Sequence, residues 1–309
     1  MIVPYFTDNH ISGQNSENRV GNYYSDSMAK LEEILQIAKK NKSPFILCGG
    51  DLLDSPIISL TICDEIIDLI EKYKIPIYTL VGNHPMINHN ILVSQATTIC
   101  HMFRRCKLIK KLEWLEGDEY FIKGIDYQKD IETIIKTDGI KMVSKDKRWT
   151  VAVVHALITP KAFLPIINHI QAKDVECDYN LVLCAHLHQP FIKIYDDVTY
   201  VNPGSIGRTS IDESDIEPSV VLLDTEKRNY KIIKLKSAKA KEEVFDLTKI
   251  EKKKEFNSEI EKFIESLQTT TFTDLDLLGV AKEICKRSEV NKEVEDEVIS
   301  RITNSENKG

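Results

Sequence analysis

Carboxylate, imidazole and amide side chains recur in the front of this chain in five short motifs: Asp8 with His10, Asp51, Asn83 with His84, His155, and His186 with His188. A mixed set of carboxylate oxygens, imidazole nitrogens and one amide oxygen suits divalent manganese, iron or zinc better than calcium or magnesium. Asp8, His10, Asp51, Asn83, His155, His186 and His188 outnumber the ligands of a single tetrahedral zinc. They divide well between two ions about 3.5 to 4 Å apart if one carboxylate bridges them. Such a pair suits in-line displacement at phosphorus, because it activates water near neutral pH and neutralises phosphate oxygens. His84 is left over from the ligand count and is free to act as an acid.

Each motif follows a short apolar run. Phe45-Ile46-Leu47-Cys48 leads to Gly49-Gly50-Asp51, Ile77-Tyr78-Thr79-Leu80-Val81 to Gly82-Asn83-His84, Val151-Ala152-Val153-Val154 to His155, and Leu181-Val182-Leu183-Cys184 to Ala185-His186-Leu187-His188. Runs of this length and composition are buried strands, and the carboxyl ends of strands in an open α/β sheet are where ligand sites gather. Between them, Met28, Leu31, Ile34, Leu35 and Ala38 share one helical face, as do Ile62, Ile66, Ile67 and Ile70. The segments near Phe191–Ile194, Thr199–Asn202, Ser219–Leu223 and Tyr230–Leu235 have the pattern of hairpin-connected strands. The count fits an α/β four-layer sandwich of two mixed β-sheets flanked by helices, over residues 1–236.

Beyond Lys236 glycine nearly vanishes and charge crowds in, with Thr248 and Glu251 spaced as a capping box. Apolar stripes through Phe256, Ile260, Phe263, Ile264 and Leu267, then Leu277, Leu278, Ala281, Ile284 and Cys285, then Val290, Val294, Val298 and Ile302 predict a C-terminal helical appendage over residues 237–309.

The chain of 309 residues has a net charge of -7, with 28 basic and 31 acidic residues up to Lys236 and 13 and 17 beyond, so neither part is a basic arm. Any contact with nucleic acid must be local or aided by bound cations. Seven scattered cysteines with no C-x-x-C spacing suit a reducing compartment. No apolar run approaches the roughly 18 residues of a membrane span, and the first residues lack the pattern of a signal peptide. The expectation is a cytoplasmic protein.

Singly, an Asp-x-His, Gly-Asn-His or His-x-His occurs often by chance. The order Asp8-x-His10, Gly50-Asp51-x-x-Asp54, Gly82-Asn83-His84, His155 and His186-x-His188 resembles the calcineurin-like metallophosphoesterase superfamily over most of residues 1–210. The resemblance implies that Asp8, His10, Asp51 and His188 hold one ion, and Asp51, Asn83, His155 and His186 the other, with Asp51 as the bridge. Within the superfamily, residues 15–24, Gly49-Gly50-Asp51-Leu52-Leu53-Asp54-Ser55-Pro56 and Asn202-Pro203-Gly204-Ser205 are similar to the SbcD nuclease family, including its phage-encoded branch. Asp54-Ser55-Pro56 in place of an Asp-Arg-Gly triplet disfavours the protein Ser/Thr phosphatases. The closer resemblance implies a DNA exo- or endonuclease with His84 as the catalytic residue and two Mn2+ ions. It also implies a homodimer through helices near Ile91 to Phe103 and an SbcC-like coiled-coil ATPase partner in DNA repair or recombination. The rivals are a nucleotide phosphodiesterase or phosphoprotein phosphatase, and a catalytically quiet metal-binding adaptor for an ATPase.

Two residues depart from the family pattern. Pro85 stands where an acidic residue usually follows the histidine, and a missing carboxylate there would leave His84 less basic or less fixed in orientation. Ala185 replaces a glycine and demands only an ordinary backbone angle there. His89, His101 and His169 match no motif; Cys100, His101 and Cys106 lack a fourth zinc ligand; Arg19, Arg104, Arg105 and Arg208 are expected to be solvated; Tyr23 and Tyr24 are expected to pack.

Overall fold

The computed structural model describes residues 1–16, 19–87, 97–142, 147–162 and 167–246, with Thr248, Lys292, Asp296 and Ile299 beyond them. The chain separates into two compact units, Met1–Ile250 and Glu251–Gly309. The apolar stripes expected in the appendage, and His89 and residues 91–96 of the expected dimer helices, lie outside the described residues.

In chain order the strands are β1 (Ile2–Phe6), β2 (Ile46–Cys48), β3 (Ile77–Thr79), β4 (Ile109–Lys111), β5 (Trp114–Glu116), β6 (Tyr120–Ile125), β7 (Trp149–His155), β8 (Ile158–Thr159), β9 (Ile170–Gln171), β10 (Leu181–Ala185), β11 (Phe191–Tyr195), β12 (Val198–Asn202), β13 (Ser219–Asp224) and β14 (Asn229–Lys234). The helices are α1 (Tyr23–Lys40), α2 (Leu60–Tyr73), α3 (Thr98–Arg105), α4 (Ile131–Asp138) and the single turn α5 (Lys241–Val244). One six-stranded sheet has the order β14-β13-β1-β2-β3-β4 and the other β11-β12-β10-β7-β6-β5. In each, a parallel run is finished at one or both edges by antiparallel strands, as with the β13–β14 and β11–β12 hairpins.

Period-two alternation assigns the strand residues to layers. Val3, Tyr5, Leu47, Val151, Val153, Leu181 and Leu183 point between the two sheets. Phe6, Ile46, Cys48 and Ile77 point the other way, against Leu31, Ile34 and Leu35 of α1 and Ile66 and Ile70 of α2. On the far face of the second sheet, Ala152, Val154, Val182 and Cys184 meet Ile131 and Ile135 of α4. The result is helix, sheet, sheet, helix, in agreement with the sequence pattern. Each fully buried Val, Leu or Ile contributes about 1.5 to 3 kcal/mol, so these interfaces are the main source of stability. Strands β4 and β5 carry no apolar alternation, being short and half-exposed, and the sequence reading passed over them along with α4.

α1 is fixed at its start by the Asn22 side chain, which accepts from the Ser25 N–H at 3.0 Å. Its buried face carries one cation, Lys30, only 2% exposed, which donates to the carbonyls of Ile206 and Gly207. The segment after β14 remains part of the first unit: Glu33 accepts from the backbone of Lys236 and Ser237, and the Val20 N–H donates to the Val244 carbonyl at 3.0 Å.

Burial pushes the Lys30 ammonium down from 10.5 to about 7. Above that value the unfolded chain binds a proton that the folded chain lacks, so stability must rise with pH until the unfolded pKa is reached. The penalty is fully present below about pH 7 and fades as pH climbs. Chemical denaturation of wild type and Lys30→Met, in chelator, should therefore show wild type gaining on the variant by on the order of 1 kcal/mol per pH unit between about pH 7.5 and 9.5. Parallel pH profiles would show that Lys30 is not held in this environment.

Candidate metal centre

All five motifs lie at the carboxyl ends of β1, β2, β3, β7 and β10. The first sheet contributes Asp8, His10, Asp51, Asn83 and His84, and the second His155, His186 and His188, so the side chains meet across the seam between the sheets. Three overlapping groups present ligand atoms within 4.8 Å of one another: Asp8, His10 and His188; His10, Asp51 and His84; and Asp51, His155 and His186. Asn83 joins the third group through its amide oxygen, 3.1 Å from His155 Nε2. Every nominated residue is brought into this cluster.

The backbone is bent to achieve it. Asp8, His10, Asp51 and His186 all have left-handed φ angles, of 53°, 50°, 45° and 72°. Non-glycine residues persist there only where surrounding contacts over-determine them, at a cost of about 1 to 3 kcal/mol each. The β1 and β2 loops hydrogen-bond to each other, with Asp8 N to Gly50 O at 3.2 Å, His10 N to Asp51 O at 2.9 Å and Ile11 N to Leu52 O at 2.9 Å. The buried Tyr23 hydroxyl lies 2.9 Å from the carbonyls of both Asn9 and His10. The Asn202-Pro203-Gly204-Ser205 phrase is the clip between the sheets. Asn202 Nδ2 donates to Leu187 O, Ser205 N to His188 O at 3.0 Å, and Ser205 Oγ to Asp8 O at 2.9 Å. Ala185 ends β10 in ordinary extended geometry, and the left-handed angle falls on His186 instead.

Close approach explains two glycines. A Cβ on Gly82 would stand 2.0 Å from Asp51 Oδ1, and one on Gly50, at φ 113°, 2.4 Å from His155 Nδ1. The Asp51 carboxylate is thus packed directly on the backbone of the β3 loop, where it accepts from the His84 N–H at 3.1 Å. That loop is tied to the second sheet by Asp126, which follows β6, accepts from Val81 N at 2.8 Å and pairs with Lys111 at 2.8 Å.

The donor set fits a pair of cations. Asp8 Oδ1 and Asp51 Oδ2 are buried without a hydrogen-bond partner, an expensive state for a carboxylate unless a cation satisfies it. His155 Nδ1 lies 2.8 Å from Gly49 O, which commits its proton there and turns Nε2 toward Asp51 Oδ2 at 3.4 Å. His188 Nδ1 lies 2.5 Å from Glu213 Oε1, and its Nε2 stands 3.1 Å from His10 Nε2. The convergence of these ring nitrogens on two orphaned carboxylates is the chemistry of a metal site. Burial works against an imidazolium at His155, yet Asp51 outweighs it and raises the group to about 9, whereas burial, with His155 beside it, lowers His186 to about 3.

The sequence left His84 without an acidic partner, and the structure corrects this. His84 Nδ1 lies 3.0 Å from the Asp54 carbonyl and 3.3 Å from Asp54 Oδ1, and this contact raises His84 to about 9. Asp54, quoted in the motif without a role, also lies 3.3 Å from His10 Nδ1. Asp54 thus supplies His84 with the carboxylate contact that Pro85 cannot. Glu213 was likewise missed, because nothing in its local sequence links it to His188. Arg19 and Arg208, expected in solvent, are 6% and 4% exposed and donate to the carbonyls of Arg208 and Lys239 at 2.7 and 2.6 Å. His101 is exposed and His169 half-buried, both outside the cluster.

Residues 1–228 match the family model of the calcineurin-like phosphoesterase superfamily domain. The chain belongs to that superfamily. It is similar, at 24% identity over 220 residues, to the DNA double-strand break repair protein Mre11 of Methanococcus maripaludis, with 64% of this chain and 54% of the relative covered. The chain therefore spans about half the length of that relative. An archaeal phosphodiesterase structure overlays at TM-score 0.40 and 16% identity, covering 76% of this chain and all of the other. The protein TT1561 of Thermus thermophilus overlays at 0.46 and 10%, covering 75% of this chain and 98% of the other. A calcineurin-like phosphoesterase is a metal-dependent hydrolase, in accord with the donor set.

Gly82→Ala should dislodge the Asp51 carboxylate with no change to any ligand. If Asp51 bridges two ions, as the family resemblance implies, the expected result is a loss of about one to two equivalents of added manganese by elemental analysis. Asp51→Ala should do the same. Two equivalents retained in Asp51→Ala would rule out a bridge at that position.

Proposed function

We propose that the protein is a two-metal phosphodiesterase that hydrolyses DNA. The observation that carries the reading is the pair of buried carboxylate oxygens, Asp8 Oδ1 and Asp51 Oδ2, that no hydrogen bond satisfies and that face only ring nitrogens of His10 and His155 at 3.4 to 4.0 Å, with His186 and His188 beside them. Asp8, His10, Asp51 and His188 would hold one ion, and Asp51, Asn83, His155 and His186 the other. When bound, the ions neutralise phosphate charge and activate water, and manganese suits the mixed oxygen and nitrogen donors. His84 sits at the exposed rim of the cluster and keeps a proton because of Asp54. It donates that proton to the departing sugar oxygen or orients the scissile phosphate.

The name of the archaeal relative supports DNA as the substrate, as does the likeness to the SbcD family. On this reading the protein acts in DNA repair or recombination as a homodimer, with residues 237–309 capping DNA or docking an SbcC-like ATPase. The six described cysteines are unpaired, in keeping with a reducing cytoplasm, and no described helix is long and apolar enough to cross a membrane. The net charge of -7 favours a second reading, a phosphodiesterase or phosphatase of small nucleotides.

A manganese-dependent assay on single- and double-stranded DNA beside a panel of nucleotides and phosphoproteins separates the two. Cleavage of DNA is expected; turnover of mononucleotides alone would overturn the DNA reading. In the same assay His84→Asn should lower kcat by about 10²- to 10⁴-fold while manganese stoichiometry and DNA affinity stay near wild type. A rate within about threefold of wild type at equal metal loading would remove His84 from the chemistry.

A further inference from the structure

Outside the nominated ligands, the side chain that bears most directly on them is Glu213. It is 3% exposed and closes a single 3-10 turn, Ile211–Glu213, that begins at the cap residue Ser210. Both carboxylate oxygens are engaged: Oε1 at 2.5 Å from His188 Nδ1, and Oε2 accepting from Thr209 N at 2.9 Å. An imidazole whose Nδ1 proton is committed to a carboxylate has one tautomer and one ring orientation, with its Nε2 lone pair free for a metal. Here Nε2 stands 3.1 Å from His10 Nε2, within the Asp8, His10 and His188 group.

The other end of the same turn is clamped from outside the metal centre. Ile211 packs with Val244 and Phe245 in a small separate cluster. The guanidinium groups of Arg19 and Arg208 lie 5.5 and 6.0 Å from the Phe245 ring centroid, and Phe245 pairs with Arg19 in a β-bridge. Arg208 Nη2 also holds the Lys239 carbonyl. Residues 239–245 thus form a strap across the turn whose last residue orients His188.

We propose that Glu213 is a positioning residue for the ion held by Asp8, His10, Asp51 and His188, and that the strap through Phe245 fixes the turn from which it acts. The proposal rests on the two-ion reading above and is independent of the substrate. Carboxylates that orient a metal-ligating histidine are worth about 10- to 100-fold in metal affinity. Only one of the two ion positions has a histidine oriented by Glu213; His155 takes its orientation from the Gly49 carbonyl.

The test is manganese titration of the metal-stripped full chain by calorimetry, with thermal melting of the apo protein alongside. Glu213→Gln keeps the size of the side chain and removes its charge. It should weaken one of two manganese equivalents by about 10- to 100-fold and leave the other unchanged, with apo melting within about 3 °C of wild type. Phe245→Ala should weaken the same equivalent by a smaller factor. If Glu213→Gln binds two equivalents as tightly as wild type, the positioning role is wrong, whatever happens to its melting temperature. If Glu213→Gln loses one equivalent but Phe245→Ala does not, the strap has no part in it. A wild-type chain that takes up no tight manganese overturns the two-ion reading itself, an outcome distinct from both.

Discussion

Two carboxylates, each buried with one oxygen that no hydrogen bond satisfies, are the constraint around which this molecule is organised. Asp8 and Asp51 belong to neighbouring strands of one sheet, and stripping water from both would be prohibitive unless cations or protonated imidazoles faced them. The compensating imidazoles come chiefly from the other sheet, through His155, His186 and His188. The interface between the sheets is therefore chemical as well as hydrophobic. Its apolar interior of valine and leucine brings the strand ends to one level, and the charged cluster caps it at the carboxyl end.

Holding that cluster requires backbone that the strands alone do not supply. Four of the clustered residues sit at left-handed φ angles, and the loops that carry them are cross-braced by main-chain hydrogen bonds, by Tyr23, and by the Asn202 to Ser205 clip. The braces use backbone amides and carbonyls, so the side chains are left free for the centre. Local strain concentrated at a site and offset by rigid neighbours is the expected signature of pre-organisation. Gly82 and Gly50 complete it by letting a carboxylate and an imidazole lie directly on main chain.

Outside the nominated ligands, Asp54 and Glu213 perform parallel tasks. Each places a carboxylate oxygen on the Nδ1 atom of a histidine, His84 at the rim and His188 within the cluster. The contact raises the basicity of His84, and it commits the Nδ1 atom of His188 so that its Nε2 faces the cluster.

The strand ends and their order were legible in the sequence because apolar runs of four or five residues, too short for a helix and rich in β-branched side chains, each stop at a polar cluster. Asp8, His10, Asp51, Asn83, His155, His186 and His188, which the fold brings into one cluster, were nominated for that reason, and the apolar faces of α1 and α2 were legible from their spacing. The half-exposed strands β4 and β5 and the short helix α4 carry too little periodicity to be read. Pro85 misled because a linear pattern looks for the partner of His84 in the next residue, while folding brings Asp54 from another loop. Arg19 and Arg208 looked like solvated cations because burial of an arginine depends on carbonyls and a ring contributed by residues far along the chain, those of Lys239 and Phe245 among them. Sequence by itself determined which atoms could bind metal and which strands carry them, since both follow from residue type and short-range spacing. Which carboxylate faces which imidazole, and which groups hold those imidazoles in place, was decided only by the tertiary structure, because those contacts join loops separated by 25 to 178 residues.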